Sequence, residues 1–97
     1  MLLLQLKYFL AVAKYEHITK AAEQLHIAQP SLSQSMRRLE KELGVSLFEH
    51  RSRNIVLSEA GKRLVEMITP VIEVMDSLPR RLKETEQNRK KTIHLNI

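Results

Sequence analysis

Residues 18–40 carry the side chains best suited to chemistry with a partner, on the two helices of an expected helix-turn-helix. The second helix presents small polar and basic side chains on the side that its apolar residues leave free. Gln34 can form hydrogen bonds with a base edge in a DNA major groove, and Arg37 can reach guanine or phosphate oxygens. The segment therefore predicts DNA binding. The candidate residues are Gln29, Pro30, Ser31, Ser33, Gln34, Arg37 and Arg38.

Two further groups of residues are expected to meet the sugar-phosphate backbone. Arg51 and Arg53 lie at a polar turn between two short apolar runs. Arginines at such a tip fit phosphate or a narrow minor groove, where the negative potential is concentrated. Thr19 and Lys20 lie at the start of the first helix of the pair, where that helix would approach the backbone. These positions complete the predicted DNA-binding set.

A solvated helix face is the alternative interpretation of Arg37 and Arg38. Glu40, Lys41 and Glu42 follow them and can form pairs three or four residues apart. Charge alone does not separate the two interpretations. DNA binding is favoured by the order of features along the chain: a tight turn, an uncharged polar helix start, a basic tip and then a helix with a repeating apolar stripe.

Apolar spacing and capping residues predict the helices that hold these residues in place. A first helix is predicted over about 3–15 and a second over about 18–25, with Thr19 able to cap the second. The third begins near Gln29, with Pro30 in its first turn, and Gly44 supplies its C-cap. The expected buried stripe of this third helix is Leu32, Met36, Leu39 and Leu43.

Two short strands are predicted after the third helix, over 45–50 and 55–57, because both runs are apolar and the second is β-branched. Closed by the polar residues 51–54, they form a wing with a basic tip. Residues 1–57 therefore read as a mainly α winged helix-turn-helix domain with three helices and a two-stranded wing.

A long helix with Ser58 as its N-cap is predicted to follow the wing. Its apolar residues alternate spacings of four and three, which is typical of a helix that pairs with another helix. The expected dimerisation residues are Leu64, Ile68, Val71, Met75, Leu78 and Leu82. Pro70 and Pro79 each remove an internal hydrogen bond and are expected to kink or interrupt this helix. Residues 83–91 are wholly polar and read as a frayed end or linker, whereas 92–97 alternate like a strand.

Composition limits the remaining possibilities. The chain has 97 residues, a formal net charge of +5 and no cysteine, so a disulfide framework and thiolate metal sites are excluded. Its four histidines lack ligand spacing, and no metal ligand or cofactor is expected. No catalytic triad order or glycine-rich phosphate loop is present, which argues against an enzyme. The apolar N-terminus lacks a basic flank and is too short to span a membrane, so a cytoplasmic location is expected.

Several motifs together resemble the N-terminal part of LysR-type transcriptional regulators over roughly residues 1–90. They are LKYF at 6–9, KAAEQL at 20–25, QPSLS at 29–33, LEKELG at 39–44, LFE at 47–49 and LSEAG at 57–61. The resemblance implies a winged helix-turn-helix followed by a linker helix that pairs antiparallel with that of a second subunit. It also implies that a set of motif positions faces DNA. These positions are Gln29, Pro30, Ser31, Ser33, Gln34 and Arg53.

The chain departs from the family pattern at named positions. Gln34 stands where arginine is common, which implies a different base preference. His17 replaces a common serine, so the cap of the second helix is expected to rest on Thr19. The resemblance also implies an effector domain of two α/β lobes that binds a small molecule, and residues 91–97 would be its start. Small-molecule sensing would then belong to that absent C-terminal domain.

These observations predict a bacterial regulator domain that binds an inverted-repeat DNA site as a dimer, with a possible higher oligomer in the full-length protein. The expected units are 1–57 for DNA binding, 58–90 for dimerisation and 91–97 for the start of an effector domain. The competing hypothesis is a protein-interaction module, in which 58–90 mediate pairing and the winged domain is a passive scaffold. A DNA affinity that falls as the salt concentration rises is expected for the DNA-binding domain and not for the protein-interaction module.

Overall fold

The chain folds into a helical domain with a small sheet and a projecting helical arm. The computed structural model describes residues 2–51 and 54–95, with side chains described up to residue 89. The helices in these ranges are α1 (Leu2–Tyr15), α2 (Ile18–Leu25), α3 (Gln29–Leu43), α4 (Glu59–Asp76) and α5 (Leu78–Leu95). The strands are β1 (Phe48–Arg51) and β2 (Asn54–Leu57). The predicted winged helix-turn-helix is confirmed.

The hydrophobic core lies where α1, α2 and α3 meet. Ala21 and Ala22 give α2 a low profile, so its neighbours can pack closely against it. The fully or almost fully buried side chains are Phe9, Val12, Ala21, Ala22, Leu32, Met36, Leu39 and Leu47. Each large member of this set contributes about 1.5–3 kcal/mol through removal of apolar surface from water. This core holds α3 so that its polar side faces outward.

Leu43 is the exception in the predicted stripe of α3, because it is 39% exposed. It is the last residue of α3, and it borders a shallow groove with Val45 and Met67 rather than joining the core. The prediction of burial was therefore wrong for Leu43 and correct for the other three stripe residues. Gly44 ends the helix as predicted, at φ 77°, with its N–H donating to the Glu40 carbonyl at 2.8 Å.

The start of α2 is capped differently from the prediction. His17 has extended backbone, and its Nδ1 accepts the N–H of Lys20 at 3.2 Å. Thr19 instead lies in the first turn of α2, so its predicted role as cap was wrong. At the other end of α2, His26 adopts the left-handed conformation with φ 57° and donates its N–H to the carbonyl of Ala22. This single left-handed residue makes the sharp turn toward α3.

The wing is an antiparallel pair of strands that packs on α1. Phe48 pairs with Leu57 in the register, and its ring lies 5.5 Å from that of Phe9. The strand begins at Phe48 rather than at residue 45 as predicted. The reason is that Leu47 has both backbone groups engaged elsewhere: its N–H donates to the Glu40 carboxylate at 2.7 Å, and its carbonyl accepts from Ser58 N–H at 2.9 Å.

The start of α4 is fixed against the turn that precedes the wing. Ser58 caps the helix as predicted by accepting the N–H of Gly61 at 3.0 Å, and its hydroxyl donates to the Ser46 carbonyl at 2.7 Å. A side chain at Gly61 would collide with the carbonyl oxygen of Leu47. Glycine is therefore required here by close approach of two backbones.

The arm consists of two helices separated at Ser77. Pro70 lies inside α4 without ending it, since the loss of one donor in an exposed helix can be compensated by water. Pro79 lies in the first turn of α5, where it cannot donate to the carbonyl of Met75. The predicted interruption is therefore confirmed next to Pro79, whereas α4 is not interrupted at Pro70.

The C-terminal predictions are corrected by α5. Residues 83–91 are helical rather than a frayed end or linker, and residues 92–95 continue the helix rather than forming a strand. The remainder of the predicted strand, 96–97, lies outside the described residues. Alternation of polar and apolar residues over so few positions does not separate a strand from the end of a helix, and here the preceding helix extends into it.

Candidate nucleic-acid interface

The outer side of α3 presents a continuous polar surface. At about 100° per residue, positions 30, 34, 37, 38 and 41 lie opposite the buried stripe. All of them are exposed, and Ser33 at the edge of this surface is half-buried. We call this surface the reading face. Its exposed residues are Gln29, Pro30, Ser31, Gln34, Arg37, Arg38 and Lys41. The structure thus brings together all seven predicted α3 residues.

The charges on the reading face are uncompensated by their neighbours. Among the described residues, neither Arg37 nor Arg38 forms an ion pair, although Glu42 is placed four residues after Arg38. Elsewhere on the molecule such pairs do form, as between Arg80 and Glu84 at 3.3 Å. The two arginines of α3 are therefore not held by ion pairs within the described residues, and they are available to a partner.

Gln29 and Ser33 form one hydrogen-bonded unit at the start of the reading face. The Gln29 side-chain amide donates to the Ser33 hydroxyl at 2.8 Å. Ala28 precedes them without a side-chain cap, so the first backbone N–H groups of α3 have no side-chain acceptor at that position. Free N–H groups and the positive end of the helix dipole favour an anion at this end of α3.

The start of α2 lies beside the reading face. Thr19 and Lys20 are both exposed there, as the sequence predicted. His17 lies in the same turn, and the bond from Lys20 N–H to its ring orders the backbone that presents these two side chains. The sequence analysis assigned this cap to Thr19, although a residue able to accept a hydrogen bond immediately before a helix is the usual signal for a cap.

The wing places Arg51 at its tip, with its side chain 71% exposed. Its guanidinium lies 3.5 Å from the Glu49 carboxylate, which is also exposed. An exposed pair of this kind contributes little, so a phosphate can replace the carboxylate at small cost. Arg53, the other predicted wing residue, lies outside the described residues.

A cleft of about 190 Å³ separates α3 from the wing. Its α3 side is lined by Ser33, Arg37 and Glu40, and its wing side includes His50. The remaining lining residues are Ile18, Met36, Ser46, Phe48 and Ile55. We call this space the helix–wing cleft. It adjoins the reading face, because Arg37 belongs to both.

The predicted dimerisation residues occupy two different environments. Ile68 is buried in the core of its own domain, and Leu64 is half-buried against that core. The other four are exposed on the arm: Val71, Met75, Leu78 and Leu82. Met67 and Val74 are also exposed, by 69% and 44%, and the sequence reasoning missed them. Ile68 and Ile72 are the buried apolar residues of α4, so Met67 and Val74 lie on its other side, and the spacing of the two isoleucines is the sequence signal that could have indicated this.

Other kinds of site find no support in the described part of the chain. No group of three or more histidine, cysteine, aspartate or glutamate residues is placed to hold a metal ion there. No helix among the described residues is long and apolar enough to cross a membrane.

Comparison with protein families identifies the same region. Residues 3–62 match the family described as "Bacterial regulatory helix-turn-helix protein, lysR family". The matched segment contains α1, α2, α3, the wing and the first residues of α4. It therefore covers every predicted DNA-binding residue.

Individual relatives agree with this match. The chain is 42% identical over 82 residues to the HTH-type transcriptional regulator YcgK of Bacillus subtilis (strain 168), covering 84% of this chain and 25% of the relative. Across three curated relatives, it spans between 25% and 50% of their length.

Solved structures with similar folds include domains bound to DNA. The chain resembles the CbnR DNA-binding domain in its DNA complex, with a TM-score of 0.79, 36% identity, and coverage of 84% of this chain and 94% of that one. The BenM DNA-binding domain bound to benA site 1 DNA gives a TM-score of 0.79 and 34% identity over the same shares. The chain belongs to the LysR family of bacterial regulatory helix-turn-helix proteins.

Proposed function

We propose that this chain binds an inverted-repeat DNA site as a homodimer, with α3 in the major groove and the wing against the adjacent backbone or minor groove. In this arrangement Gln34 contacts a base edge, and Arg37 and Arg38 contact guanine or phosphate. Thr19 and Arg51 contact the sugar-phosphate backbone of the DNA on either side of α3. The role is recognition of DNA rather than catalysis, and chromosomal DNA as the partner implies a cytoplasmic location.

The observation that carries this proposal is the reading face of α3. It combines an exposed amide, small hydroxyl and proline residues at the helix start, and two arginines without ion pairs among the described residues. An α-helix fits a major groove, and short side chains at its beginning allow the helix backbone to approach the bases. The domains of CbnR and BenM, which have this fold, were solved bound to DNA.

The proposed pairing surface is the exposed apolar side of the arm. Met67, Val71, Val74 and Leu78 follow spacings of four, three and four, so they form one stripe on α4 and the start of α5. This stripe replaces the predicted one by leaving out Ile68 and Leu64, which face their own core. Met75 and Leu82 flank it.

A second copy of the chain is the proposed occupant of this stripe. The stripe is continuous at Met67 with the shallow groove that also contains Leu43, Val45 and Leu64. Glu59 and Arg63 border the groove, so an antiparallel partner helix would meet both an apolar floor and charges of each sign. A two-fold symmetric pair satisfies this geometry, because the same surface on each copy meets itself.

The proposed units are 1–57 for DNA binding, 58–90 for pairing and 91–97 for the connection to an effector domain. Support for the first boundary comes from Ser58, whose side chain caps α4 while its N–H is bonded to Leu47 of the domain. The relatives are two to four times longer than the matched segment, which leaves room for a ligand-binding part in such proteins. The corresponding small-molecule sensing is a proposal for the longer protein.

The experiment that tests the proposal is selection of binding sites from random duplex DNA at near-physiological salt. An enriched inverted repeat is the expected result. Gln34→Ala should then change the preferred base at one position of each half-site, because it removes the amide that discriminates between bases. Arg51→Ala should weaken binding to all sequences alike and reduce the salt dependence.

Glu73→Gln is the matched control, since this exposed carboxylate lies on α4, away from the reading face, and should leave the selected motif unchanged. Retention of DNA with no enriched motif would contradict sequence-specific recognition. Stable dimers without salt-sensitive DNA affinity would instead support the protein-interaction module, in which the winged domain is a scaffold.

A further inference from the structure

We propose that the shallow groove between Leu43, Val45 and the base of α4 binds Leu82 on α5 of a second copy, so that the end of each arm packs on the DNA-binding domain of the other copy. The proposal rests on the proposed function, because it requires the antiparallel pair of arms. It goes beyond that function by adding a contact between α5 of one copy and the reading helix of the other.

The groove has an apolar wall on the domain, and we call it the arm-base groove. Its wall is formed by Leu43, the last residue of α3, and by Val45 in the turn that follows. Both side chains are exposed within one chain. The volume of the groove is about 270 Å³, which exceeds the roughly 150 Å³ of an apolar cavity that can hold benzene. A leucine side chain therefore fits this space.

The floor of the arm-base groove has the arrangement of a hole for a side chain from a facing helix. In paired helices, a side chain of one helix inserts between four residues of the other. Four of the α4 residues that line the groove lie at positions i, i+3, i+4 and i+7 of one helix face, and they are Ala60, Arg63, Leu64 and Met67. The groove therefore suits an apolar side chain that a partner helix presents.

The helical path of the arm continues through the junction at Ser77. The N–H of Ser77 donates to the carbonyl of Glu73 at 3.1 Å, and the carbonyl of Ser77 accepts from the N–H of Arg81 at 3.0 Å. Bonds between residues four apart are those of an α-helix. Ser77 itself lies in the right-handed helical region, at φ −86° and ψ −7°. The position of Leu82 relative to the exposed stripe can therefore be counted in helical turns.

The level of Leu82 along the pair follows from the symmetry of the stripe. The middle of the stripe lies between Val71 and Val74, so an antiparallel second copy places its Leu78 opposite Met67. Leu82 follows one helical turn after Leu78. In the second copy it is therefore level with the turn before Met67, and this turn forms the floor of the arm-base groove.

Leu82 also points to the side on which the domains lie. At 100° per residue, it lies about 50° around the helix from the middle of the stripe, on the side of the buried Ile68. A two-fold axis between antiparallel helices keeps this side the same for both copies. Leu82 of one copy therefore points toward the Leu43 and Val45 wall of the other. This contact would cover a side chain that is 65% exposed within one chain.

The consequence is a direct connection between pairing and recognition. Leu43 ends the helix whose other residues form the reading face. Its contact with the second copy would hold that end of α3, while Leu32 and Leu39 hold the rest against the core. The core of the domain is formed without the groove wall, so the contact contributes to association rather than to folding of the domain.

Disulfide trapping tests the contact, because the chain contains no cysteine of its own. Leu82→Cys is co-expressed with Val45→Cys on a chain with a larger tag, so that crosslinked mixed dimers are identified on a non-reducing gel. Leu43→Cys replaces Val45→Cys in a second mixture. We expect a mixed disulfide in at least one of the two mixtures, since a disulfide requires Cα atoms within about 7 Å of each other.

Glu84→Cys is the matched control for Leu82→Cys. Glu84 is exposed on α5 and lies about 200° around the helix from Leu82, so it should give no disulfide with Val45→Cys. Val71→Cys mixed with Val74→Cys reports the pairing of the arms and should be crosslinked. Circular dichroism verifies that the helix content of every variant is unchanged.

Self-association provides a second measurement. Leu82→Ala should weaken it by about tenfold or more, because an apolar side chain is removed from each of two symmetric contacts. Glu84→Ala should leave self-association unchanged. Sedimentation at a series of concentrations compares the two variants, and equal association of both would contradict the contact.

The outcomes separate this proposal from the proposed function. A disulfide between Val71→Cys and Val74→Cys, without one from Leu82→Cys to either wall residue, would overturn the groove contact and leave the pairing in place. Equal crosslinking of Leu82→Cys and Glu84→Cys would overturn it as well, since α5 would then approach the domain without a preferred side. Absence of a disulfide in every mixture would overturn both the groove contact and the proposed pairing.

Discussion

The winged domain buries its large apolar side chains, whereas the helical arm exposes several of them. In the domain, residues such as Phe9, Leu32 and Leu39 are completely buried by neighbours from the same chain. On the arm, Met67 and Leu82 are more than 60% exposed although they lie on well-formed helices. The domain therefore buries its apolar residues within one chain, whereas the arm leaves an apolar stripe exposed, which we propose is covered by a second copy.

Removal of a core side chain from the winged domain should have the largest effect on stability. Leu39→Ala should lower the free energy of unfolding by about 2–5 kcal/mol, because it removes a fully buried side chain from a close-packed core. Leu82→Ala is the control on the arm and should change the unfolding of the domain by less than about 0.5 kcal/mol. Urea unfolding followed by circular dichroism measures both. Equal losses for the two variants would contradict the division between core and arm.

The junction between domain and arm is the next most sensitive position. Gly61→Ala should destabilise the protein by about 1–3 kcal/mol, since the new methyl group would be forced against the backbone of Leu47. Thermal unfolding tests this. Lys62→Ala, at the exposed neighbouring position, should be nearly neutral. A stable Gly61→Ala variant would show that α4 can move away from the domain without loss.

Charge on the stripe should weaken the proposed dimer without unfolding either copy. Val71→Lys combined with Val74→Lys should weaken self-association by about tenfold or more, because each copy would present lysines at the centre of a symmetric apolar contact. Sedimentation at a series of concentrations measures the change. Glu66→Lys with Glu73→Lys adds the same lysines at exposed polar positions and is the matched control. Equal association of both variants would place the contact elsewhere.

The smallest expected effect concerns the cap of α2. His17→Ala should cost about 1 kcal/mol of stability, because Lys20 N–H would lose its acceptor, and His17→Asn should restore most of it. Thr19→Ala should change stability by less than about 0.5 kcal/mol. Chemical denaturation of the three variants compares them directly. A larger loss for Thr19→Ala than for His17→Ala would return the cap to Thr19.

The parts of the fold that the sequence predicted correctly depend on local, repeated signals. Leu32, Met36 and Leu39 recur at helical spacing, Gly44 follows the last helical residue, and Ser58 precedes an early glutamate. Each of these signals is contained within one or two turns of a helix. They were sufficient to predict the helices α1 to α4, the presence of the wing and the exposure of the reading-face residues on α3.

The parts that were missed depend on contacts between distant segments. Ile68, predicted for the dimerisation stripe, is instead buried with core residues from far earlier in the chain, and spacing alone does not reveal such a contact. The late start of β1 depends on Glu40 taking the N–H of Leu47. The cleft beside His50 exists only because α3 and β1 are brought together by the core.

The backbone of Leu47 joins α3 to the base of the arm, so it lies on the path of any mechanical signal between them. Its N–H is bonded to Glu40 on α3, and its carbonyl is bonded to Ser58 at the start of α4. Rotation of the arm about its own base would therefore reach α3 through the backbone of a single residue, whose two planar peptide groups meet at its Cα atom. In a pair of such molecules, the tilt of each reading helix and the distance between them would be controlled from the far end of the arm.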